Sequence, residues 1–233
     1  MCTVQIGIID SGQGGKSFSA HIERMFRKHT KCEVIIDYFA DTENFPYGNK
    51  SKKELELLTE RNICYLAERG NTHIVIACNT ASIATTEVVS RLEKKYKVSI
   101  TPITKVLNIQ RHSFSTSKKV LVIATDFTIR SRYYKHLLKV AHDKITVRQL
   151  SLQQLVRYVE EDAIHMAKKE VSLLAHFMHG EGFDGLVLGC THYSYIYDMF
   201  KEWLRDIHIF DPSYETARHI LLQHRCAFVS TSV

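Results

Sequence analysis

Two stretches decide the reading of this chain: Ile74-Val75-Ile76-Ala77-Cys78-Asn79-Thr80-Ala81-Ser82 and Leu186-Val187-Leu188-Gly189-Cys190-Thr191-His192-Tyr193. Each begins as a short, near-continuous apolar run, the pattern of a strand buried on both faces of a parallel sheet. Each then places a cysteine at the strand's carboxyl end, followed by polar residues that open a helix. Ligands of parallel α/β sheets sit outside those carboxyl ends, facing helix N-termini whose free N–H groups favour anions. A thiol placed there can have its pKa lowered, which raises its thiolate fraction.

Further strand-length apolar runs lie at residues 4–9, 34–39 and 120–123. Segments of helical period fill residues 51–69, 82–96, 129–141, 153–179 and 193–204, and a last helix starts near Ser213, after Asp211-Pro212. The best marked opens with Ser51-Lys52-Lys53-Glu54, a capping-box pattern, and stops at Gly70. The alternation predicts an α/β fold, with mostly parallel sheets flanked by helices. A weak internal echo divides it. Asp10 precedes Cys78 by 68 residues, and Thr125, at another strand end, precedes Cys190 by 65. Two similar lobes are therefore expected, with a crossover near residues 97–102 and the site in the cleft between them. The first lobe would take residues 1–97 and 209–233, with Asp10 and Cys78. The second would take residues 98–208, with Glu160, Cys190 and His192.

Composition excludes several classes. The 233 residues are 45% hydrophobic and 24% charged, ordinary for a soluble globular protein. No apolar run approaches the roughly 18 residues of a transmembrane helix. Residues 1–5 carry no basic region and no small-residue cleavage site, so a cytoplasmic protein without a secretory signal is expected. The net charge of +6 is modest and scattered over pairs such as Lys52-Lys53 and Lys118-Lys119, so no nucleic-acid partner is expected. Cysteines at 2, 32, 64, 78, 190 and 226 form no CxxC pair and lack the histidine spacing of a zinc site. Reduced thiols and no metal are expected. Four of them read as small buried hydrophobes; Cys78 and Cys190 do not.

Two thiols in equivalent places would face each other across the cleft. Inverting a tetrahedral carbon needs a base on one face and an acid on the other, with the roles exchanged in reverse. Asp10, in Ile9-Asp10-Ser11-Gly12, would point into the same cleft as Cys78, and His192 lies two residues beyond Cys190. These neighbours could hold or shuttle protons. Their ordinary roles, a helix N-cap and a structural histidine, stay open. The run Gly12-Gln13-Gly14-Gly15-Lys16-Ser17 nearly fits the phosphate loop G-x-x-x-x-G-K-[ST], but its first glycine position holds Asp10. A carboxylate there repels phosphate, which leaves a glycine-rich turn from strand to helix. A nucleophilic Cys190–His192 dyad is a third reading, and it leaves Cys78 without a role.

The segments Gly7-Ile8-Ile9-Asp10-Ser11-Gly12, Tyr38-Phe39-Ala40-Asp41, Pro46-Tyr47-Gly48, Ala77-Cys78-Asn79-Thr80-Ala81 and Leu188-Gly189-Cys190-Thr191-His192-Tyr193 resemble the signature blocks of bacterial glutamate racemases, in order and at similar spacing. Weaker blocks at residues 125–131, 155–160 and 215–217 fit as well. The resemblance implies two pseudosymmetric lobes and racemization of glutamate without a cofactor, supplying D-glutamate for peptidoglycan. It implies Cys78 and Cys190 as catalytic thiols, with Asp10, Glu160 and His192 as assisting acids and bases. Asp10, Ser11, Tyr47, Gly48, Asn79, Thr80, Thr191 and His192 match the substrate-holding positions. Family members are often homodimers. An aspartate racemase and a catalytically silent regulatory homologue are the alternatives. Three departures stand out: Gln13 where a small apolar residue is usual, Ile103-Thr104-Lys105-Val106 where glycine and proline are usual, and Ser194 where proline commonly stands. Relatives also tend to continue beyond the position of Val233.

Overall fold

The computed structural model describes residues 3–109 and 111–229. The chain runs β1 (Thr3–Asp10), α1 (Gly14–His29), β2 (Glu33–Ala40), α2 (Lys52–Glu68), β3 (His73–Ile76), α3 (Asn79–Ala84), α4 (Val89–Tyr96), β4 (Ser99–Pro102) and α5 (Lys105–Ile109). It continues with β5 (Lys119–Ala124), α6 (Asp126–Ser131), α7 (Tyr133–Ala141), β6 (Thr146–Ser151), α8 (Gln153–Glu160), α9 (Ile164–Gly180), β7 (Gly185–Gly189), α10 (Thr191–Tyr195), α11 (Tyr197–Trp203), β8 (His208–Phe210) and α12 (Pro212–Val229). Among the described residues the strands form two four-stranded parallel sheets with the same topology, β2-β1-β3-β4 and β6-β5-β7-β8. The α/β class read from the sequence is the fold observed.

The five apolar runs became β1, β2, β3, β5 and β7. The three strands that no run announced, β4, β6 and β8, are all sheet edges. β6 reads Thr-Val-Arg-Gln-Leu-Ser and keeps one face exposed, while β4 and β8 are only four and three residues long. Edge strands need no continuous apolar character, so pattern alone passes over them. These edges also correct the lobe boundaries. The stretch taken as a crossover contains β4, which pairs with β3 in the first sheet. At the other boundary, Ile209 and Phe210 pair with Leu186 and Val187 of β7 in the second sheet. Only then does α12 return to the first sheet, burying Ala217, Ile220 and Leu221 beside Phe18, Ile22 and Phe26 of α1.

Helix α2 has the complete capping box: Ser51 Oγ accepts from Glu54 N, and Glu54 accepts from Ser51 N. The helical segments read at residues 129–141 and 153–179 are each broken in two. Arg132 and Asp162 adopt left-handed φ values of 55° and 53°, ending α6 and α8 before the chain resumes as α7 and α9. Two of the sequence departures have structural roles. Ser194 Oγ donates to Asp211 Oδ1 at 2.7 Å, and Asp211 caps α12 by accepting from Ser213 N at 2.8 Å. Ile103 N bonds Ile76 O, and Ile103 O accepts from Thr216, so this segment ties β3 to α12. Cys32, Cys64, Cys78 and Cys190 are free thiols. Cys2 and the side chain of Cys226 lie outside the described residues. No helix among the described residues is long and apolar enough to cross a membrane.

Candidate active site

The inner strand pairs carry the site. β1 and β3 end together, with Ala77 N bonded to Ile9 O, and so place Asp10 and Cys78 at one carboxyl edge. β5 and β7 do the same for Thr125 and Cys190. These strand ends, at equivalent places in the two sheets, border one cavity. It is lined by Ser11, Phe45, Pro46, Tyr47, Gly48, Cys78, Asn79, Thr80, Thr125, Gln153, Val156, Cys190, Thr191 and His192. Nine of the eleven site residues read from the sequence are therefore on its wall; the other two, Asp10 and Glu160, stand directly behind it. Thr191 Oγ1 donates to Asp10 Oδ2 at 2.9 Å, and His192 Nε2 lies 2.5 Å from Glu160 Oε1. The Tyr47 hydroxyl is turned away, donating to Asp41 at 2.6 Å, so only its ring and backbone serve the cavity. Among the described residues no group of three or more His, Cys, Asp and Glu side chains could hold a metal.

The glycine turn has a different use from phosphate binding. A Cβ on Gly14 would lie 2.6 Å from Thr191 Oγ1 and 2.7 Å from His192 N. Gly14 is bare because the start of α1 packs directly onto the start of α10, from the other sheet. Beside it, Gln13 N donates to Glu160 Oε1 at 2.6 Å and Gln13 Nε2 to Glu160 O at 3.3 Å. The Gln13 side chain thus adds a bond to the Glu160 backbone, beside the backbone N–H of position 13 that meets the carboxylate facing His192.

The family description "Asp/Glu/Hydantoin racemase" matches residues 6–220 of this chain. The chain belongs to this family. A glutamate racemase of Lachnospira eligens is 32% identical over 87% of this chain and 75% of its own length. That of Halothermothrix orenii is 34% identical over 93% and 83%. The crystal structure of a glutamate racemase isoform from Bacillus anthracis superposes with a TM-score of 0.78 at 28% identity, covering 95% of this chain and 82% of that one. The resemblance read from the sequence is borne out, and the protein is an amino-acid racemase.

The two thiols of this racemase sit in unlike surroundings. Cys78 Sγ donates to Ser11 Oγ at 3.8 Å. Burial, then the neighbouring Asp10 carboxylate, pushes the Cys78 thiol up to about 12. Burial likewise raises Asp10, against the pull of His192 and the hydrogen bonds from Gly12 and Thr191. On the other side Cys190 Sγ lies 3.5 Å from His192 Nδ1. Burial opposes a charged His192, yet Cys190, Glu160 and Asp10 together raise it to about 10. Glu160 is held below its ordinary value: burial raises it, and the bonds from His192 and Gln13 more than offset that. His192 is therefore an imidazolium at neutral pH, with one N–H on Glu160 and the other toward Cys190.

The racemase should show this in its pH profile. Glu160→Gln keeps an acceptor opposite His192 but removes the negative charge, so the imidazolium loses a proton more easily. The alkaline limb of kcat/KM should move to lower pH by about one unit or more. A profile measured across that limb checks this; a limb that stays in place rules out Glu160 as the group that holds His192 charged.

Sequence reasoning missed Phe45, Pro46, Thr125, Gln153 and Val156. Thr125 had a signal, since it ends β5 as Asp10 ends β1. Gln153 and Val156 had none, because nothing in a short amphipathic helix tells which turn borders a cavity made by another sheet.

Proposed function

We propose that this racemase interconverts L- and D-glutamate in the cytoplasm by a two-thiol, two-base proton transfer at Cα without a cofactor, and supplies D-glutamate for peptidoglycan. The observation that carries the reading is the placement of Cys78 and Cys190 at equivalent strand ends on one cavity, Cys78 under the charge of Asp10 and Cys190 3.5 Å from His192 Nδ1. The names of the curated relatives point to glutamate as the substrate.

Glutamate enters with its α-carbon between the two sulfurs. Asn79 is prepared for a carboxylate: Tyr134 OH donates to its Oδ1, which leaves Nδ2 a buried donor with no protein partner. Ser11, whose oxygen accepts from Cys78, keeps a free hydroxyl proton on the same wall. In one direction the Cys190 thiolate takes the α-proton while the His192 imidazolium steadies the developing charge. Cys78, a thiol at neutral pH because of its burial, delivers a proton to the opposite face. The reverse reaction exchanges the roles, with Asp10 beside Cys78 as the local proton partner. As it stands the cavity has room for about one water and not for an amino acid. The sheets must part to admit glutamate, and their closure removes water from the carbanion-like species.

The test is proton NMR of the purified protein with L- and, separately, D-glutamate in heavy water without added cofactor. Loss of the α-proton signal with formation of the opposite enantiomer is the expected result. Exchange with aspartate but not glutamate points to the aspartate enzyme. Inertness of folded, reduced protein toward both acids would sink the racemization reading and favour a silent homologue.

A further inference from the structure

Away from the thiols the cavity wall is built from Gly48, Thr80, Thr125 and Gln153, which adjoin one another. Thr80 and Thr125 satisfy each other, hydroxyl to hydroxyl, at 2.9 Å. A Cβ on Gly48 would lie 2.5 Å from Gln153 Oε1 and 2.9 Å from Thr125 Cβ, so only glycine lets the Gln153 carboxamide occupy this spot. Yet both Oε1 and Nε2 of Gln153 are buried without a hydrogen-bond partner. A buried carboxamide unpaired at both ends is costly to the free protein and rare in folded chains. A ligand that offers it a strong acceptor recovers that cost.

We propose that Gln153 binds the distal carboxylate of the substrate through Nε2 and sets the preference for glutamate over the shorter aspartate; this rests on the glutamate reading above. The α-carbon is confined to the space between Cys78 and Cys190, so a side chain extending from it runs toward the Gly48, Thr80, Thr125 and Gln153 end of the same cavity. Aspartate, one methylene shorter, stops short of the carboxamide when its α-carbon is in place. Gln153 is the first residue of α8 and Glu160 the last, about two turns apart on one helix, with Val156 lining the cavity between them. A single rigid element therefore carries the contact to the substrate's far end and the carboxylate that faces His192.

Three variants and two substrates test the assignment. In Gln153→Met, an apolar side chain of similar length, KM for both enantiomers of glutamate should rise roughly 10- to 100-fold, the effect of losing one hydrogen bond to a charged group. Activity on aspartate should hold, so the selectivity ratio falls by the same factor. Gln153→Glu sets one carboxylate against another and should raise KM further, whereas Gln153→Ala should resemble the Met variant. Without glutamate, the Met variant should unfold at the same or a higher temperature than the wild type, because two unpaired polar atoms have been removed. A residue that merely supports the fold would lower the unfolding temperature and impair both substrates alike. Wild-type turnover of glutamate with KM unchanged in Gln153→Met, or equal losses on both acids, overturns the Gln153 assignment alone. A wild-type protein that neither racemizes nor binds glutamate, by calorimetry, overturns the underlying reading and this assignment with it.

Discussion

Replacing either Cys78 or Cys190 by alanine should lower racemization of glutamate by at least about 10³-fold, the scale of losing a positioned acid or base. The loss must be equal in both directions when expressed as kcat/KM, because two enantiomers in achiral solution have an equilibrium constant of unity. In the proposed mechanism each thiol serves one face of Cα, so a single-thiol variant would lose its base for one enantiomer and its acid for the other. Heavy water separates this from general damage. Neither variant should invert the substrate. Residual exchange of the α-proton, where it occurs, should be confined to one enantiomer in Cys78→Ala and to the opposite one in Cys190→Ala. The fold should survive, since each change removes one sulfur from a well-packed wall. Near-native turnover in either variant would falsify the two-thiol mechanism.

The second large effect should come from Gly14→Ala, at a position that no proton-transfer scheme includes. The backbone of Gly14 is helical, and alanine is the better helix former, so α1 itself gains by up to about 1 kcal/mol. The added methyl, however, meets Thr191 Oγ1 at 2.6 Å and the backbone of His192 at 2.7 Å. A backbone atom does not swing aside as a flexible side chain does, so the start of α10 must move away from α1. That start carries Thr191 and His192, directly after Cys190. A displacement on the ångström scale at a reacting group costs about 10²-fold in rate, and kcat/KM should fall by about that much. Circular dichroism should still report a folded protein. Full activity in Gly14→Ala would mean that the two sheets do not need this close approach during turnover.

Much of the site was legible in the sequence for a physical reason. A strand buried on both faces must be apolar along its length, so a cysteine followed by Asn-Thr or Thr-His at its end is conspicuous in Cys78 and Cys190 alike. Asp10 stands out in the same way at the end of β1. The edges of the sheets were not legible, because β6 and β8 are stabilised by backbone pairing with one neighbour and need little apolar surface. That is why the second sheet's last strand was assigned across a boundary that cuts through it.

By itself the sequence determined the parallel α/β class, the two cysteine-bearing strand ends and the racemase family, since these follow from local apolar pattern and short contiguous motifs. Only the tertiary structure decided which distant residues meet. Gln13 reaches Glu160 across 147 positions and Thr191 reaches Asp10 across 181. The need for glycine at position 14 is a property of α10, not of its own turn. The unpaired carboxamide of Gln153 acquires meaning only beside Gly48 and Thr125. The physical reason is that apolar pattern is written into contiguous residues, whereas charge state and close approach depend on which surfaces two sheets bring together.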